Sequence, residues 1–269
     1  MRSSTRPADN PEGWENSGIR EATMGQILDE TVGRWPDREA VVYADRNYRL
    51  TWRQFSEEVD RIARGLMAMG VQKGEKVAIW ATNVPYWLLL QFATAKIGAV
   101  LVTVNTNYRA TEISYLLQQA ETENLFLIEG FRDIDYLQTI YGIFPELKER
   151  PRGDIRSSRF PHLKRVFFLG PEKHKGLYSM PELLAMAPMV SRDQYLERQA
   201  QLKPDDIVNM QYTSGTTGFP KGVMLTHTNI VNNGYWIGEC EKLGPEDRMC
   251  LPVPLFLSLI HISEPTRPY

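Results

Sequence analysis

Cysteine is almost missing from this chain: Cys240 and Cys250 are the two present. Two are too few for a disulfide framework, and neither stands at a ligand-like spacing from another cysteine or histidine, so a reduced, cytoplasmic setting is expected. An excess of charge of either sign is missing too. Thirty-one basic residues meet 33 acidic ones for a net charge of −2, which removes the electrostatic case for nucleic acid or for an anionic membrane surface. Long apolar runs are scarce. The one candidate membrane span, Val84 to Val104, contains Pro85, Gln91, Lys96 and Gly98. A span needs about 20 predominantly apolar residues, and a lysine deep inside one is costly. A buried helix from Val84 to Ile97, a glycine stop at Gly98 and a strand from Ala99 to Val104 account for the same residues. No transmembrane segment is therefore expected, while peripheral contact with a membrane stays open. Met1 to Asn16 is polar, carries Pro7, Pro11 and Gly13, and lacks the apolar stretch of a signal peptide, so residues 1–16 read as a loose arm. No internal repeat with a period of roughly 20–50 residues occurs.

What remains is an ordinary globular composition, with 42% hydrophobic and 24% charged residues over 269 positions. Glu39 to Tyr43 and Tyr48 to Thr51 read as two short strands around Asp45-Arg46-Asn47. Thr51 to Gln54 forms a capping-box pattern, followed by a helix with Phe55, Val59, Ile62, Ala63, Leu66 and Met67 on one face and Gly70 as its stop. A buried strand at Lys76 to Trp80 precedes the Val84 to Ile97 helix. After the strand ending at Val104 come a helix from Thr111 to Ala120 and a strand from Leu125 to Ile128. Glu146 to Lys164 is basic but broken by Pro151, Gly153 and Pro161 and flanked by acids, which reads as a solvated surface loop. A strand from Arg165 to Leu169 and helices over Ser179 to Met186 and Ser191 to Gln201 follow. Strands alternating with helices imply βαβ units, hence an α/β fold with a mixed, largely parallel sheet and flanking helices.

The most informative stretch runs from Thr213 through Ser214, Gly215, Thr216, Thr217, Gly218, Phe219 and Pro220 to Lys221 and Gly222. Glycines allow a close backbone approach, successive N–H groups make an anion-binding concavity, and a lysine adds a compact positive charge suited to phosphate. The spacing is not that of the G-x-x-x-x-G-K-[ST] loop, because Gly222 stands where its serine or threonine belongs. Ile207, Val208, Met210 and Tyr212 before it, and Val223 and Leu225 after it, predict a strand on each side. The loop then joins two strands, and the next helix starts later, at Thr226 or His227.

This run, continued by Val223-Met224-Leu225-Thr226-His227, resembles the phosphate-loop signature of the acyl-adenylate-forming, or AMP-binding, enzymes. That superfamily includes acyl-CoA synthetases, luciferases and the adenylation domains of peptide synthetases. The resemblance implies that residues 17–256 belong to the N-terminal portion of the large AMP-forming synthetase domain. It implies two half-reactions. A carboxylate attacks the α-phosphate of ATP with Mg²⁺ to give an acyl-adenylate and pyrophosphate, and a thiol, usually coenzyme A, then displaces AMP. By the same resemblance Thr213, Ser214, Gly215, Thr216, Thr217, Gly218 and Lys221 would hold the β- and γ-phosphates, with Thr213 the hydroxyl that approaches the metal. Val104-Asn105-Thr106-Asn107-Tyr108, with Glu112, Tyr115 and Leu116, is similar to fatty acyl-CoA synthetases, which favours a medium- to long-chain fatty acid as the small-molecule partner. Aryl-activating and amino-acid-activating enzymes stay open as alternatives, although the latter usually carry serine at the position of Thr216.

His227 is expected to cap a helix or to be half-buried, and Trp236 to pack in the core. Leu257 to Tyr269 fits nothing upstream and resembles translated adaptor DNA from sequencing libraries. Residues 257–269 are therefore expected to be a non-native tail, and His261 is set aside as a catalytic candidate. The family's catalytic lysine and its adenine, ribose and metal-binding groups would lie in sequence beyond Phe256. On that reading a chain ending there is an inert fragment of a longer ligase.

Overall fold

Residues 18–213 and 220–257 are described by the computed structural model. The elements run α1 (Met24–Arg34), β1 (Glu39–Tyr43), β2 (Tyr48–Thr51), α2 (Trp52–Ala68), β3 (Lys76–Trp80), α3 (Pro85–Ile97), β4 (Val100–Thr103), α4 (Ala110–Gln119) and β5 (Asn124–Leu127). After these come β6 (Gly130–Phe131), β7 (Ile134–Asp135), α5 (Tyr136–Ile143), β8 (Arg165–Phe168), β9 (Tyr178–Ser179), α6 (Met180–Met186) and α7 (Arg192–Ala200). The described chain closes with β10 (Ile207–Thr213), β11 (Lys221–Thr226) and α8 (His227–Glu241). The expected arm over residues 1–16 and all but Leu257 of the expected tail lie outside the described residues.

Seven strands form one sheet in the order β11-β10-β4-β3-β5-β8-β9. Every neighbouring pair is parallel except β10 with β11. The alternation of side chains along each strand sorts the core into two layers. Val77, Ile79, Leu101, Phe126 and Phe167 face α2, α3 and α6. Ala78, Trp80, Val102, Leu125, Leu127, Val166 and Phe168 face α4 and α5. Such a sheet, covered on both faces, explains the continuous apolar character of its central strands.

The local signals act as their chemistry requires. Thr51 accepts from the Gln54 amide while the Gln54 side chain accepts from Thr51 N–H at 2.9 Å, which starts α2. α3 begins with Pro85 and ends at Gly98, whose φ of 74° is the left-handed conformation that glycine adopts without strain. Lys96 is buried within it, its ammonium 2.7 Å from Asp29 of α1 and 2.8 Å from Asp60 of α2. Among the described residues no helix is long and apolar enough to cross a membrane. The basic stretch before β8 is surface chain held by ion pairs, with Arg156 against Asp154 at 2.7 Å and Arg152 against Glu182 at 2.5 Å.

Two expectations need correction. Trp236 is 51% exposed rather than packed in the core, because α8 turns Val231 and Asn232 inward and carries Trp236 on its outer side. His227 does cap a helix, but that of α1, whose first amide it accepts, rather than its own, and it is fully buried rather than half-buried. Thr226 caps α8 in a capping box with Asn229, which leaves His227 as the first helical residue, fully buried.

Candidate active site

The stem of the glycine- and threonine-rich loop is an antiparallel pair, with Thr213 opposite Lys221 and Tyr212 opposite Gly222. Thr213 and Lys221 are both exposed. β10 is parallel to β4, so Thr213 stands at the carboxyl edge of the parallel strands, where open α/β sheets bind their ligands. Ser214, Gly215, Thr216, Thr217 and Gly218 lie outside the described residues. Lys221 makes no ion pair among the described residues. Thr213 brings a hydroxyl but no carboxylate with it. No group of three or more histidine, cysteine, aspartate or glutamate side chains suited to a metal occurs among the described residues.

A shift in the β10–β11 register between Ile207 and Asn209 marks a bulge. It turns both Val208 and Asn209 toward α1, α3 and α8, after which Gln211 continues on that face and Met210 and Tyr212 point to the α4 layer. Below Thr213 on the first face lies a cavity of about 810 Å³. Met24, Ile27, Trp87, Phe92, Leu225, Ile230, Leu251 and Leu255 line it, with Asn209, Gln211 and Asn233 as polar groups. Gln211 also donates to the Phe256 carbonyl at 2.7 Å, tying the segment after α8 to the sheet.

His227 sits close to this wall. Its backbone N–H donates to the Asp206 carbonyl at 3.2 Å, and its Nδ1 accepts from the Met24 N–H at 3.1 Å. Burial pushes the imidazole down to about 4, more than the opposing carboxylate of Asp206 lifts it. A neutral, buried ring that caps an amide of α1 is a structural group.

The stem is therefore the strand pair that the sequence pattern predicted, whereas the cavity has no counterpart in the sequence reading. Its walls come from segments around residues 24, 90, 210, 230 and 253, which no single motif connects. The pattern Thr23-Met24-Gly25-Gln26, a capping box that starts α1, was the available signal for the first wall.

The family model described as AMP-binding enzyme matches residues 28–266. The chain belongs to that family. Putative acyl-CoA synthetase YngI of Bacillus subtilis (strain 168) is 48% identical over 235 residues, 87% of this chain and 43% of the relative. The mitochondrial medium-chain acyl-CoA ligase ACSF2 of Danio rerio is 36% identical over 248 residues, 91% of this chain and 40% of the relative. The chain thus spans about two fifths of the length of these relatives. A long-chain-fatty-acid-CoA ligase from Archaeoglobus fulgidus shares the fold with a TM-score of 0.69 at 21% identity, over 88% of this chain and 43% of that one. The anthranilate CoA ligase AuaEII, solved with anthranoyl-AMP, does so with a TM-score of 0.66 at 23% identity, over 81% and 37%. The mixed, largely parallel α/β architecture is that of the N-terminal domain of such ligases.

Proposed function

We propose that these residues bind the phosphates of ATP in a protein that activates a medium- to long-chain fatty acid as its acyl-adenylate and passes it to coenzyme A. One observation carries the reading: a single face of β10 runs from the apolar cavity at Asn209 and Gln211 to Thr213 at the loop stem. An alkyl chain in that cavity would present its carboxylate toward the phosphates. The physical obstacle is charge, since a carboxylate must approach a polyanion. Lys221, exposed at the stem and without an ion pair among the described residues, would offset part of it. Thr213 would offer its hydroxyl to a magnesium ion carried on the phosphates, whose charge would help neutralise the leaving pyrophosphate. The size and apolar lining of the cavity support a fatty acid over an amino acid. Free, exposed cysteines at positions 240 and 250 support a reduced, cytoplasmic setting. Phosphate binding is proposed for this chain and turnover for a protein of the relatives' full length, so the 269-residue chain by itself is expected to be inert.

Pyrophosphate release by the full-length protein across acetate, octanoate, palmitate, benzoate and the amino acids tests the reading. Turnover is expected with octanoate or palmitate, and Lys221→Ala should lower the adenylation rate about 10²-fold. Turnover with an amino acid or benzoate and none with either fatty acid would overturn the substrate class. Acyl-AMP made by the isolated 269-residue chain would overturn its inertness.

A further inference from the structure

A seven-residue connection between two strands does little to fix the geometry of its own stem, and β11 is an edge strand with one neighbour. The ladder sets Thr213 opposite Lys221, and contacts from outside the pair would stiffen that spacing. The structure shows one helix touching both legs. On the entering leg, the Tyr212 hydroxyl donates to Oε1 of Gln119 in α4. On the exit, the Tyr115 hydroxyl of α4 donates to the Pro220 carbonyl at 3.4 Å. Tyr115 and Gln119 are four residues apart, which places both on one face of the helix. The two legs are also interlocked. A Cβ at Gly222 would lie 3.2 Å from both the Met210 sulfur and Cζ of Tyr212, so a side chain there would press both back by a few tenths of an ångström.

We propose that Tyr115 and Gln119 are positioning residues for the phosphate-binding stem, gripping its two legs from α4 so that Thr213 and Lys221 are held in register before any anion arrives. The inference deepens the proposed function and rests on it only where nucleotide affinity is concerned. Preorganised donors bind charge better because no ordering remains to be done on binding. Neither residue would touch the nucleotide. Each acts through the backbone it holds.

The test uses the 269-residue chain with Tyr115→Phe, Gln119→Met and Gln119→Glu. Hydrogen exchange is followed in peptides covering residues 207–213 and 220–226, with a β3 peptide as internal reference, and ATP binding is measured by calorimetry. Tyr115→Phe and Gln119→Met should each speed exchange of the stem and weaken ATP binding by about 5- to 10-fold, the value of one lost hydrogen bond, with β3 unchanged. Gln119→Glu keeps an acceptor oxygen for Tyr212 and should restore wild-type exchange, which a loss of bulk alone would not. Unchanged stem exchange in both deleting variants overturns the grip, as does a glutamate variant that exchanges as fast as the methionine one. If the wild-type chain binds no ATP while the stem exchange still responds as stated, the nucleotide reading falls and the grip stands.

Discussion

His227 shows how one buried side chain sets a pH response. Its ring is fully buried and held down to about 4 by loss of solvation, whereas an exposed histidine titrates near 6.5. The unfolded chain therefore takes up a proton at a pH where the folded chain does not. Stability from the neutral ring is complete above about 6.5, falls as the pH drops toward about 4, and changes no further below that. The loss amounts to roughly 3 kcal/mol. Urea unfolding at pH 7 and pH 4.5 should show most of this difference. In His227→Gln, which keeps a side-chain acceptor for the Met24 amide, the difference should shrink. A variant with the full wild-type pH dependence would assign the effect to another group.

At the scale of elements, helix packing overrides helix propensity. Gly65 lies in the interior of α2, where alanine would gain about 1 kcal/mol of intrinsic propensity. A Cβ there would stand 2.6 Å from the Leu183 carbonyl oxygen of α6. Carbonyl and helix cannot both stay in place, and overpacking of this kind costs about 1–3 kcal/mol. Gly65→Ala should therefore lower stability, by up to about 2 kcal/mol in thermal unfolding once the propensity gain is subtracted. Gly33→Ala in α1, where a Cβ meets nothing within 4 Å, should be neutral or stabilising. Equal effects at the two positions would mean that close approach is not what selects glycine at position 65. The same contrast marks what was legible in the sequence. α2, α3 and β4 could be read because Thr51, Pro85 and Gly98 punctuate them locally, and the two legs of the loop because strand-like residues flank it. The β10–β4–β3–β5–β8 order could not, since parallel neighbours come from distant segments and no local signal encodes which pair. Trp236 was misjudged for a related reason: an aromatic residue on a helix says that some surface will cover it, not which one. The cavity was hidden because it has no motif, being formed where five separate segments converge.

At the scale of the whole molecule, the segment after α8 is drawn back onto the sheet by groups far away in sequence. Asn83, just before α3, donates from Nδ2 to the Val253 carbonyl and accepts at Oδ1 from the Leu255 N–H, each at 2.8 Å. One amide thus satisfies a carbonyl and an N–H of the same extended stretch, while Gln211 takes the Phe256 carbonyl. Leu251 and Leu255 are thereby held against the cavity whose other walls are α1, α3, α8 and the β10–β11 pair. Breaking this attachment should open the cavity before it unfolds the sheet, because among the described residues only Leu255 of this segment packs against the layers around β3, β4 and β5. Asn83→Ala removes both hydrogen bonds and should cost about 1–3 kcal/mol. Asn83→Asp keeps the acceptor for Leu255 but cannot donate to Val253, so its effect should be smaller. Limited proteolysis between residues 248 and 257 should accelerate in the alanine variant, with an intermediate rate in the aspartate one and unchanged exchange in β3. If the alanine variant loses protection in β3 to the same extent as in this segment, the segment and the sheet unfold as one unit, and the cavity has no wall that can open on its own.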